Sequence, residues 1–237
     1  MAPHIDHYDW SGGREALLRF GPDTGPVVVA ALPLFEEANR TRTFTVGLLR
    51  ALADRGIAGL LPDVPGQGES LTPLADLTIL RMAEALEAVT GACHEAGRRT
   101  YALGIRSGTL LDYCALHSGR WHFAPQRGDD LLRELHRIWR AAGHHGDRDA
   151  MIYGDADPVE IAGNLLSTDL LSSLSAATPF DRPGSPRRVV RLASDPAPAD
   201  RKIDVAPLWR RSEPGDDITL AQILADDIAE WIATCEA

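Results

Sequence analysis

Four short apolar runs constrain the fold more than any other feature: PVVVAALP at 26–33, IAGLLPD at 57–63, TYALGI at 100–105 and RRVVRLASDP at 187–196. The core of each run is continuous rather than alternating, which suits strands buried on both faces of a sheet. Helical patterns over about 41–55, 76–97, 108–117 and 128–142 fall between them, and 218–234 closes the chain. Alternation of this kind predicts a doubly wound, mostly parallel sheet. The stretch HYDW…REALLRF predicts an N-terminal hairpin turning at Gly12–Gly13. Weaker strands are expected at 120–125 and within KIDVAPLW at 202–209. The pattern breaks over approximately 126–185, which reads as a helical cap or lid inserted into one domain spanning 1–237.

A chain of 237 residues is long enough for one sizeable core. Its net charge of −10 argues against sequence-independent nucleic-acid binding. Lys202 is the sole lysine, a bias read as coding preference rather than function. No apolar run approaches the roughly 20 residues of a membrane span. The start, MAPHIDHYDW, has neither the basic nor the apolar part of a secretory signal, so a cytoplasmic location is expected. Cys93, Cys114 and Cys235 lack C-x-x-C spacing, which argues against a disulfide framework or zinc site. His144 and His145 are adjacent in a glycine-rich patch and read as loop rather than metal ligands. No cofactor and no metal is expected.

The chemistry concentrates in three loops that should follow strands, where parallel sheets bind ligands. The first holds LGIRSG, with Gly104 and Gly108 four apart around Arg106. Hydrolases with such a sheet carry G-x-S-x-G there, the serine being the nucleophile. A guanidinium has no lone pair to attack with. Ser107 is a weak nucleophile candidate, because one step round the turn its side chain leaves the site. Arg106 has three open readings: it pairs with acids from neighbouring loops, it binds an anion beside a helix start, or the turn is no elbow. The second loop, PLFEEANRTR, supplies Glu36, Glu37, Asn39, Arg40 and Arg42 as a solvated helix start or as the polar rim of a pocket. The third brings Asp195, which is either a turn-forming Asp-Pro or the acid of a triad. Asp195 is the first acid expected to pair with Arg106. A carboxylate beside that charge should have a lowered pKa and be a poor base. The triad order of serine, acid, then histidine fails here, because His122, His144 and His145 all precede Asp195. Trp121, Trp139, Trp209 and Trp231 read as core or lid residues. Dimerisation through the 128–142 helix is compatible with the sequence but not required by it.

The stretches LPLFEEANRTR, LLPDVPGQGES, LGIRSG, WHFAPQRGDDLLRELHRIWR, VEIAGNLLSTDLLSSL and PLWRR together resemble the α/β-hydrolase superfamily, and within it the exosortase A system-associated hydrolases of the second type. The resemblance covers roughly residues 26–235, and the order of the motifs is more specific than any one alone. It implies an α/β-hydrolase fold in a bacterial setting of exopolysaccharide production and envelope-protein sorting. It carries over Glu36, Glu37, Asn39, Arg42, Arg106 and Ser107 as motif members, with the first five as expected ligand-binding residues. The departures from a working triad, at nucleophile and base, point to a non-catalytic or divergent member that binds a small anionic or acyl ligand or a partner. The alternative is an esterase or thioesterase with a rearranged site.

Overall fold

The structure, a computed structural model, describes residues 3–154, 157–211 and 213–237. Asp155 and Ala156, at the end of the polar patch before Pro158, lie outside the described residues.

The chain opens with the expected hairpin, β1 (His4–Trp10) and β2 (Gly13–Phe20), and continues through β3 (Val27–Ala31), α1 (Glu36–Ala53) and β4 (Ala58–Pro62). Next come α2 (Ile79–Glu95), β5 (Thr100–Ile105) and β6 (Gly119–Phe123). Between β6 and the late strands lie α3 (Gly128–Ala141), α4 (Arg148–Tyr153), a small hairpin of β7 (Val159–Ile161) with β8 (Asn164–Leu166), and α5 (Thr168–Ser175). The chain closes with β9 (Arg187–Leu192), β10 (Arg201–Ile203) and α6 (Ile218–Glu236).

Eight strands form one sheet in the order β1-β2-β4-β3-β5-β6-β9-β10. The six from β4 to β10 are mutually parallel, and β2 joins β4 antiparallel at the edge. The pleat divides β3 between two cores: Val27 and Val29 face α2 and the 128–175 elements, while Val28 and Ala30 face α1 and α6. This is why the run is apolar throughout.

Two expectations about helices change. α1 begins at Glu36 rather than near 41, so the loop after β3 is short. Glu36 and Glu37 occupy its first turn, where the helix dipole favours negative charge. The expected helix over 108–117 is only a 3₁₀ turn, Arg106–Leu110. The carbonyls that would continue it are taken by side chains: Thr109 Oγ1 donates to Arg106 O, and Arg120 donates to the carbonyls of Asp112 and Ala115.

The two glycines of LGIRSG set the shape of the turn. A Cβ on Gly104 would stand 2.6 Å from Thr109 Cγ2, and one on Gly108 would stand 2.3 Å from the carbonyl oxygen of Ala31. The first lets the turn fold back tightly on the end of β5, and the second lets it lie directly against β3. Gly108→Ala should therefore cost about 3 kcal/mol in urea unfolding. Gly91→Ala, within α2 with nothing within 4 Å of the new methyl, should instead stabilise by roughly 0.5 kcal/mol.

On the other side of the sheet, Asp227 of α6 ties three strands together. It accepts from Trp121 Nε1 (2.9 Å), from two nitrogens of Arg188 (2.7 and 2.8 Å) and from Arg201 (2.7 Å). Burial pushes its carboxyl up, but these donors outweigh it and bring the pKa from 3.8 down to about 2. As pH falls, the unfolded chain binds this proton first. The stability the carboxylate contributes is thus full above about pH 4 and lost toward pH 2. Asp227→Asn should lower stability at neutral pH by about 2 kcal/mol, a partial loss because both arginines reach solvent. It should also flatten the acid limb of a thermal-melt series.

Candidate functional site

The loops after β3, β5, β6 and β9 meet at the carboxyl edge of the sheet, and Arg106 stands among them. It follows β5 directly and has a left-handed backbone with φ 53°. Such a conformation is costly for a non-glycine residue and recurs at functional turns. The two glycine contacts hold it in place.

Three partners fix the guanidinium. Arg106 donates Nε–H to Glu37 Oε2 (3.1 Å) and a terminal N–H to Glu37 Oε1 (3.2 Å), a two-point pair with the first turn of α1. The same terminal nitrogen donates to Glu134 of α3 at 3.2 Å. The guanidinium carbon lies 4.7 Å above the Trp209 ring, close enough for a cation–π contact. Gln126 then donates to Glu134 Oε2 at 2.7 Å, and Trp209 packs edge-on against Phe123. The cluster is largely out of water, with the Arg106 and Glu37 side chains 13% and 14% exposed.

The electrostatics of Glu37 differ from the sequence expectation. Burial pushes its carboxyl above the usual range, and this outweighs the pull of Arg106; Glu134 and Glu36 add to the upward push. The lowering expected from Arg106 alone neglected desolvation and the second acid.

Ser107 is fully buried, and its Oγ accepts the Leu34 N–H at 2.9 Å. The next amide of that loop, Phe35 N–H, donates to Gln67 Oε1 at 2.7 Å. Phe35 is itself left-handed, with φ 61°. Both amides are thus occupied by side chains.

The remaining sequence candidates scatter. Asp195 does not pair with Arg106 as expected. It accepts from Arg191 four residues earlier (2.7 Å) and from the Ala197 N–H (2.9 Å). Burial pushes its carboxyl up, but these donors more than compensate and hold it low. Glu36 faces Arg40 at 3.6 Å, and Arg40 donates to the Trp209 carbonyl. Arg42 pairs with buried Asp63 at 2.6 Å, and with Asn39 it lines a cavity of only about 20 Å³ away from the Arg106 cluster. His122 is buried against Asp112 (Nε2 to Oδ2, 2.8 Å). His144 stacks on Trp139. Among the described residues, no group of three or more histidine, cysteine, aspartate or glutamate side chains is arranged to hold a metal ion. No helix among them is long and apolar enough to cross a membrane.

Sequence reasoning missed Glu134 and Gln126 and took Trp209 only as core or lid. Glu134 lies 28 residues from Arg106 on the polar face of α3, where nothing local separates it from its charged neighbours.

No protein-family model matches the sequence, and no curated protein matches it. Solved structures do. Est1E from Butyrivibrio proteoclasticus is similar over 98% of this chain and 98% of its own, at 13% identity and a TM-score of 0.64. DcsB, solved in complex with its substrate analogue, is similar over 98% of this chain and 99% of its own, at 12% identity and a TM-score of 0.64. This chain has an α/β-hydrolase-like fold. Its LGIRSG turn follows the central strand β5 at the carboxyl edge of that sheet, with Arg106 in the left-handed position.

Arg106→Met keeps most of the side-chain volume and removes the charge, leaving Glu37 and Glu134 facing each other. Urea unfolding at neutral pH should show a loss of about 3 kcal/mol. The deficit should shrink at lower pH, where protonated carboxyls need no counter-charge.

Proposed function

We propose that this is an α/β-hydrolase-fold protein that has given up covalent acyl transfer and binds a small anionic or acyl ligand, or a partner, above the old elbow. The observation that carries this reading is Arg106, locked at the apex between Glu37 and Glu134. A nucleophile belongs where the guanidinium stands. The adjacent hydroxyl is turned into the core, and the loop amides that would stabilise an oxyanion are already bonded. The 126–185 segment acts as the cap of this cleft, reaching the elbow through Glu134. The motifs shared with exosortase A system-associated hydrolases support a role beside exopolysaccharide production.

A second reading, an ester or thioester hydrolase with a rearranged site, draws on the raised pKa of Glu37, which makes it a better base than an exposed carboxylate. The two-point pair with Arg106 works against it, because both carboxylate oxygens are engaged.

Hydrolysis of short-chain p-nitrophenyl esters and acyl thioesters by the purified full chain separates the two. The expected result is no turnover above the buffer rate. Turnover that disappears in Ser107→Ala or Glu37→Gln would overturn the binding reading.

A further inference from the structure

A cavity of about 680 Å³ lies over the carboxyl ends of β5, β6 and β9, with α3 as its far wall. This is within the roughly 300–1,000 Å³ of small-molecule sites. Five arginines line it against three carboxylates. In a chain of net charge −10, this is a local excess of positive charge.

The five arginines are not equivalent. Arg106 is committed to Glu37 and Glu134. Arg133 pairs with Asp129 and Asp130 on its own helix, and Arg191 pairs with Asp195. Two remain. Arg127, at the entry to α3, has no carboxylate partner and donates no side-chain hydrogen bond among the described residues. Arg137 comes only within 3.9 Å of Glu134, an acid already serving Arg106 and Gln126, and its side chain is 74% exposed. Arg127 keeps its whole donor fork free, and Arg137 keeps most of its own.

We infer that this cavity binds a small organic anion carrying a charge of −2 or more, as phosphoryl groups or a polycarboxylate, with Arg127 and Arg137 meeting its charge from two points along the α3 wall. The elbow arginine is not the hook; it holds the floor of the site rigid. Pro125 and Ala197 give the apolar wall for the rest of the ligand. The acidic surface elsewhere repels large polyanions, while the cavity focuses small ones. This inference rests on the binding reading above and adds the class of ligand.

Isothermal titration calorimetry of the full chain with pyrophosphate, citrate and acetate tests it. Saturable binding of pyrophosphate or citrate is expected, weakened at least about tenfold in the Arg127→Ala/Arg137→Ala double variant and restored in large part by lysine at both positions. Among the described residues the Arg127 side chain pairs with no member of the Arg106 cluster, and exposed Arg137 reaches it only at 3.9 Å from Glu134, so the variants should fold as the parent does, with circular dichroism as the check. Stronger binding of pyrophosphate assigns a phosphoryl group, and stronger binding of citrate a polycarboxylate. No saturable binding, unchanged affinity in the double variant, or acetate bound as tightly as the dianions would overturn the inference. Ester turnover would instead strike the underlying reading, and the two failures are separate measurements.

Discussion

A positive charge that cannot be neutralised stands at the sharpest turn of the sheet, and the surrounding loops are arranged to satisfy it. Arg106 draws Glu37 from the start of α1, Glu134 from α3 and the Trp209 ring from the segment before α6. These elements come from distant parts of the chain. A guanidinium largely out of water needs partners for its donors, and two half-buried acids sit together at least cost with a cation between them. Each member is therefore a condition for the others. The raised pKa of Glu37 shows how narrow the balance is: desolvation and the second acid outweigh the ion pair.

The same economy governs the neighbouring amides. Buried backbone donors need acceptors. Here Ser107 and Gln67 occupy the Leu34 and Phe35 N–H groups permanently. This avoids the roughly 1–3 kcal/mol that an unfilled buried donor would cost. Ser107 is thereby part of the scaffold.

Much of the architecture is legible in the sequence, because continuous apolar runs such as Val27–Ala31 admit few other readings. The tight turn after β5 is legible too, since two glycines four apart report close contacts that no side chain could share. The acids that serve Arg106 are less so. Glu37 is visible as a loop candidate, whereas Glu134 is indistinguishable from any other charge on an amphipathic helix. Asp195 looked the better partner by analogy with a triad, but Arg191, one turn of chain away, captures it first. The 108–117 segment misled for a related reason. Its helical spacing is real, but its carbonyls are claimed by Thr109 and by Arg120, and sequence periodicity says nothing about such competitors.

The glycine contacts at 104 and 108 have a consequence for what this scaffold can become. They bind the turn to Thr109 and to the carbonyls of Ala31 and Leu32, and none of them involves the side chain at 106. The backbone thus works as a mount whose position is independent of what is fastened to it. Any residue able to adopt the left-handed conformation would be presented at the same point, facing the same loops. Backbone shape and side-chain charge are set separately at this one position: the glycine contacts fix where residue 106 stands, and the acids facing it fix which charge it carries.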